Sequence, residues 1–134
     1  MLTFKSFITE SSQIGINVRS DTAAGMSYAD KIVDGEKYYE TRDTHSLKPY
    51  VGKRVSVVRT GEGKAKAIGE VTVGEPIVVD EKKFRKLQKK HLVPKGSKFD
   101  IKPNATKHLY PMLDPERYEQ EKEVGHGIVS RKVL

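Results

Sequence analysis

Apolar residues in this chain come in short runs that alternate with polar ones and stop at glycine. That pattern confines the fold to a small sheet with few helices. Ile14 to Val18 and Tyr38 to Arg42 alternate, Arg54 to Arg59 puts Val55 and Val57 on one face, and Lys66 to Val73 is a further β-rich run; residues two apart share one face of a strand. Gly61-Glu62-Gly63-Lys64 joins the third run to the fourth as the turn of a hairpin. Pro76 to Val79 follows as an edge strand or loop, Lys98 to Lys102 alternates briefly, and Gly125 to Val133 closes the chain as a glycine-flanked strand. His108 to Tyr118 mixes a strand-like piece with a turn at Pro115 capped by Asp114. Helical spacing is found in Ser27 to Asp34 and, more clearly, in Asp80 to Leu92, where Phe84, Leu87 and His91 or Leu92 form an apolar stripe. Six or so strands with two inserted helices predict a small α+β barrel.

The densest chemistry lies where the first of these helices meets a strand. Ser27 is placed as its N-cap, with Asp30 three residues on. Gly35 ends it, because glycine takes the left-handed conformation at little cost. From Lys37 to Arg42 the alternation puts Lys37, Tyr39 and Thr41 on one face and Tyr38, Glu40 and Arg42 on the other. On an exposed strand a Glu–Arg pair is ordinarily a surface ion pair worth about 0–1 kcal/mol. On a concave face it is a site.

Charge adds a second constraint. The formal net charge is +7, and the segment 80–108 alone holds ten Lys/Arg against three acids, so the excess is a patch. A localised basic patch favours an anionic partner, nucleic acid first. Lys82, Lys83, Lys86 and Lys90 lie on the polar side of the second helix and are candidates to track a phosphate backbone. The absence of cysteine excludes a disulfide framework, a thiol nucleophile and a thiolate metal site. Neither an apolar run long enough to span a membrane nor a secretory leader is expected, which fits a cytoplasmic life. Gly61-x-Gly63 precedes a strand instead of a helix and is no phosphate loop. The four histidines are scattered; His126, between two glycines, is the one with a candidate role. No metal and no cofactor is expected.

Met1 to Glu10 has a helical set of Leu2, Phe4, Phe7 and Ile8 and leads into a polar joint, Ser11-Ser12-Gln13. This decapeptide resembles the amino-terminal capsid-targeting peptide of internal head proteins of T4-type bacteriophages, which is cut after an Ile/Leu-x-Glu tripeptide, here Ile8-Thr9-Glu10. The resemblance implies a bacteriophage protein of the host cytoplasm, packaged in the virion, with residues 1–13 as an extension ahead of a domain at 14–134.

The domain resembles a known family. Tyr28 to Arg42 is similar to the signature of ASCH domains, a helix running into Gly-x-Lys-x-x-Glu-x-Arg. Gly52 to Val57 resembles their second block, Ala67 to Val71 their third, and Lys107 to Arg117 followed by Val124 to Val129 their closing pattern. The four blocks, in order, cover about residues 14–134. The resemblance implies a PUA-like pseudo-barrel of mixed strands with a cleft over the Lys37–Arg42 strand. It also implies work on nucleic acid or modified nucleosides: members include RNA-associated domains, a ribonuclease, and amidohydrolases that deacylate N4-acetylcytidine. Lys37 matches the lysine of those amidohydrolases, but their catalytic threonine falls on Glu40, and a carboxylate does not replace a hydroxyl nucleophile without changing the chemistry. The tryptophan common in the closing block is absent, Tyr110 being the nearest aromatic substitute.

The leading expectation is a module that binds RNA, single-stranded DNA or a nucleoside. Lys37 and Arg42 would meet phosphate, and Tyr39 or Tyr110 would stack a base, with Lys53, Arg54, His126 and Arg131 in support. A hydrolase is the alternative, with Lys37 and Glu40 as catalytic residues, Glu40 serving as general acid–base. A third reading, tied to the bacteriophage resemblance, is an inhibitor of a host defence protein, which predicts a protein partner.

Overall fold

A computed structural model describes residues 14–124 and 130–132, the last three by their backbone alone. Its centre is a sheet that runs in the order β2-β6-β4-β3-β1-β7, with β5 also paired to β6. The strands are β1 (Ile14–Arg19), β2 (Tyr39–Arg42), β3 (Arg54–Thr60), β4 (Lys66–Val73), β5 (Ile77–Val79), β6 (Lys107–Glu123) and β7 (Ser130–Lys132). β1 and β3 pair in parallel, Ile16 opposite Val57, while the other pairings are antiparallel. A parallel pair needs a crossover, and helix α1 (Tyr28–Val33) lies on it.

α1 starts at Ser27, whose hydroxyl donates to the Asp30 carboxylate and makes no backbone cap bond. It ends as the sequence requires. Gly35 sits at φ +82°, its N–H donates to Ile32 (3.0 Å), and the N–H of Glu36 donates to Lys31 (2.9 Å). These are the two bonds of a Schellman cap, which turns the chain straight into β2. Ala29, Ile32 and Val33 pack onto the sheet with Val55, Val57, Ile68, Val71 and Leu109. Contact is closest at Gly69, where an added Cβ would lie 2.4 Å from the Glu116 carbonyl and 2.6 Å from Val33 Cγ1. Only glycine lets helix and sheet approach this far. On the far face of β3 and β4, Val58 and Ala67 form a small second cluster with Ala65, Tyr118 and Val124.

β6 lets the sheet curl. Its first five residues lie between β2 and β5, with Leu109 opposite both Thr41 and Ile77, and its remainder runs along β4. Its register on β4 shifts between Thr72 and Glu70, where Asp114 takes φ +48°, and again between Gly69 and Ala67. Extra residues on one strand bend it and raise its twist. The result is a curled half-barrel of mixed strands with a few helices, the expected α+β architecture.

Several expectations are corrected. Asp80 to Leu92 is two short helices, α2 (Glu81–Lys86) and α3 (Gln88–His91). Leu87 leaves helical geometry between them, and the break lets His91 fold under Phe84, rings stacked at 3.9 Å, before Leu92 ends α3 at φ +64°. Lys98 to Lys102 forms no strand. Asp114-Pro115 is a bulge inside β6, since proline lacks the N–H that a ladder position would need. Met1 to Gln13 and the glycine pair around His126 lie outside the described residues. No helix among the described residues is long and apolar enough to cross a membrane.

Candidate nucleic-acid cleft

The concave side of the β2 end of the sheet holds a cleft of about 570 Å³. Its wall is built by β1 (Asn17, Arg19), α1 (Tyr28), Lys37 and residues 40–43, the end of β3 (Thr60), the chain after α3 (Val93, Phe99) and Lys107 of β6. Four cationic side chains, Arg19, Lys37, Arg42 and Lys107, face two carboxylates, Glu40 and Asp43. The cleft is therefore net positive and suited to an anion.

Lys37 forms the floor. It is 1% exposed, and its ammonium donates to the His91 carbonyl and stands 4.7 Å from the centre of the Tyr28 ring. Burial lowers its pKa from the usual 10.5 to about 8; nearby Arg42 and Lys107 push the same way, and Glu40 opposes them. Sequence alternation places Lys37 opposite Glu40, yet both line one cleft. The reason is local: β2 begins only at Tyr39, and the N–H of Lys37 still closes the α1 cap onto Lys31.

Glu40, 6% exposed, accepts from Arg42 Nε at 3.1 Å and pairs with Arg42 Nη2 at 2.9 Å. That nitrogen also donates to the Asn17 carbonyl at 2.5 Å, so β1 and β2 hold the guanidinium between them. Lys107 pairs with the exposed Asp43 at 2.7 Å. Tyr28 supplies an unused group. Its hydroxyl is buried with no hydrogen-bond partner among the described residues, and burial together with the charges of Asp21 and Glu40 pushes its pKa up to about 12. It therefore stays a donor at any physiological pH.

His91 fixes the floor from below. Its Nδ1 accepts the N–H of Val93 at 3.0 Å, so Nε2 carries the proton and donates to the Phe84 carbonyl at 2.8 Å. Burial and the positive charges of Lys37 and Arg85 lower its pKa to about 4. It is neutral and structural.

The other sequence candidates are dispersed. Tyr39 is half-buried against the core and meets Tyr38 edge-on at 4.8 Å, outside the cleft. Tyr110 is 0% exposed and offers no ring face for stacking. Arg54 is occupied with Glu70 (3.0 Å), and neither it nor exposed Lys53 lines the cleft. Lys82, Lys83, Lys86 and Lys90 are exposed on α2 and α3. The Arg131 backbone pairs with Gly15; its side chain, like all of His126, lies outside the described parts of the chain. Sequence reasoning missed Asn17, Arg19, Tyr28, Thr60, Phe99 and Lys107 as cleft residues. Tyr28 and Lys107 open the two end blocks of the family-like pattern and were findable there; nothing local marks the rest. Among the described residues no group of three or more His, Asp or Glu is placed to hold a metal.

A curled mixed sheet around such a cleft is an α+β half-barrel, consistent with the PUA-like fold that the sequence resemblance implies. No protein-family model matches the chain, and no curated protein sequence does. Solved structures do. An ASCH protein from Zymomonas mobilis superposes with a TM-score of 0.61 at 16% identity, covering 80% of this chain and 71% of that one. A Tyr→Phe variant of that protein gives 0.65 at 15% identity over 84% and 76%. A Ser→Ala variant gives 0.58 at 15% identity over 82% and 73%. The fold of this chain is that of an ASCH domain.

Proposed function

We propose that the cleft binds a nucleotide unit of RNA or single-stranded nucleic acid. The observation that carries this reading is the net-positive cleft of about 570 Å³, walled by Arg19, Arg42 and Lys107 beside the rings of Tyr28 and Phe99. Phosphate meets Arg19 and the Nη1 end of Arg42, whose Nε and Nη2 are already held by Glu40 and the Asn17 carbonyl. The base lies toward Phe99, and the Tyr28 hydroxyl gains the partner it lacks. Unpaired bases are held in this way by stacking plus charge, without a groove to read. The ASCH fold, whose resemblance at the sequence level implies work on nucleic acid, supports the same ligand class.

The test is an NMR titration with the four ribonucleoside monophosphates. Shifts confined to Asn17–Arg19, Lys37–Asp43, Phe99 and Lys107, and abolished in Arg42→Ala with the fold intact, are expected. Shifts elsewhere, or none, overturn the reading.

A hydrolase is the second reading, favoured by one observation: the buried Lys37, its pKa lowered to about 8, beside Glu40 in the cleft. An amine near neutrality is a competent base, and a carboxylate next to it suits proton transfer. Turnover of RNA or an acylated nucleoside, lost in both Glu40→Gln and Lys37→Met, would establish it. Stoichiometric binding without turnover in the native protein would exclude it for the substrates tried.

A further inference from the structure

We propose that the lysine face of α2 and α3 continues the cleft, so that the two form one track for a single strand: one nucleotide in the cleft, the following phosphates on the lysines. The inference rests on the cleft reading above. Lys82, Lys83, Lys86, Lys89 and Lys90 are all exposed. None has an ion-pair partner among the described residues, because the acids of this segment are already engaged. Asp80 caps the N–H of Lys83 at 2.9 Å, while Glu81 and Asp100 both pair with Arg85. A cluster of like charges without counter-charges is relieved by a polyanion that displaces its small counterions.

Two adjacent bonds fasten this face to the cleft. The ammonium of Lys37 donates to the carbonyl of His91, and the N–H of Tyr38 donates to the carbonyl of Lys90 at 2.8 Å. The residue forming the cleft floor and its neighbour thus hold the end of α3, and the lysines keep a fixed place relative to the cleft. Tyr38 stands at the joint. It is 41% exposed, and the Lys90 ammonium lies 5.5 Å from its ring centre. An exposed tyrosine beside a lysine is the pairing that holds a splayed base and its phosphate, which points to an unpaired strand, since a duplex stacks its bases away from such a ring.

The experiment measures binding of labelled RNA from mononucleotide to dodecamer across a salt series. It uses native protein, a Lys82→Gln/Lys86→Gln/Lys89→Gln variant and Tyr38→Ala. Affinity is expected to rise with length up to a site size on the order of four to eight nucleotides. In the triple variant the slope of log affinity against log salt should fall by about 2, at ~0.7 for each phosphate of a single strand that is no longer neutralised. Mononucleotide binding should be unchanged, and Tyr38→Ala should weaken only the longer strands. Length-independent affinity, or a native slope in the triple variant, overturns the track while leaving the cleft reading intact. Failure of mononucleotides and oligomers alike overturns both. Lysine-dependent binding to anionic phospholipid vesicles with none to RNA also overturns it, by making the face a membrane contact.

Discussion

Lys37 pays for its position under the cleft in protonation free energy. Its folded pKa of about 8 lies below the ordinary 10.5, so between those values the unfolded chain holds a proton that the folded one lacks. Stability therefore rises with pH across that window, by about 3 kcal/mol if the whole shift is realised. Tyr28 acts in the opposite sense between 10 and about 12, because its folded form keeps the proton longer. Urea unfolding between pH 8 and 10 should thus show rising stability, and Lys37→Met should flatten the rise; an unaltered slope would refute the role of burial. At Tyr28 the orphaned hydroxyl makes a sharper prediction. Tyr28→Phe removes an unsatisfied buried group, so stability should hold or improve, while nucleotide binding weakens by a lost hydrogen bond, about 0.5–1.5 kcal/mol. Calorimetry and thermal unfolding of the same sample check both halves. For His91, nitrogen shifts should show a neutral ring protonated at Nε2 down to about pH 5, since its pKa is lowered to about 4. The unfolded chain takes up that proton first, so its contribution to stability is lost as pH falls from 6.5 toward 4.

Individual elements are legible in the sequence where one residue type decides the geometry. Gly35 ends α1 because only a left-handed residue allows the double cap, and Gly35→Ala should cost about 1 kcal/mol in unfolding free energy. The hairpin of β3 and β4 is legible from its glycine turn. The break at Leu87 is not, since Phe84, Leu87 and His91 fit a continuous helix, while in the fold the His91 ring stacks on Phe84 and bonds to the Phe84 carbonyl and the Val93 N–H. The bulge at Asp114 resembles a turn in sequence, because Asp-Pro suits either. Gly69 lies in the third family-like block, but nothing in the sequence shows its role, which depends on how closely α1 and β6 approach β4, a tertiary fact. Gly69→Ala should destabilise by about 1–3 kcal/mol through overpacking, measured by chemical unfolding; a neutral result would mean that α1 is free to shift outward.

At the scale of the whole molecule, the curled sheet collects side chains that are remote in sequence. Asn17 and Arg19 come from β1, Lys37 and residues 40–43 from the α1–β2 corner, Phe99 from the chain after α3 and Lys107 from β6. The Lys37–Arg42 segment is legible because its chemistry is concentrated in a few residues. The remainder is not, because parallel pairing of β1 with β3 and the bend of β6 decide which side chains face the cleft. The charge patch at 80–108 is visible from composition; the fold brings Lys107 of it into the cleft and leaves the lysines of α2 and α3 exposed outside the cleft wall. The central claim is that the cleft itself takes nucleic acid. Fluorescence anisotropy of a labelled single-stranded RNA over a salt series, for native protein and for Arg42→Ala, tests it most directly. Salt-sensitive binding is expected, weakened by Arg42→Ala roughly tenfold or more, as for a lost charged hydrogen bond of about 1.5–3 kcal/mol. Binding that Arg42→Ala leaves unchanged, or the absence of binding by native protein, would contradict it.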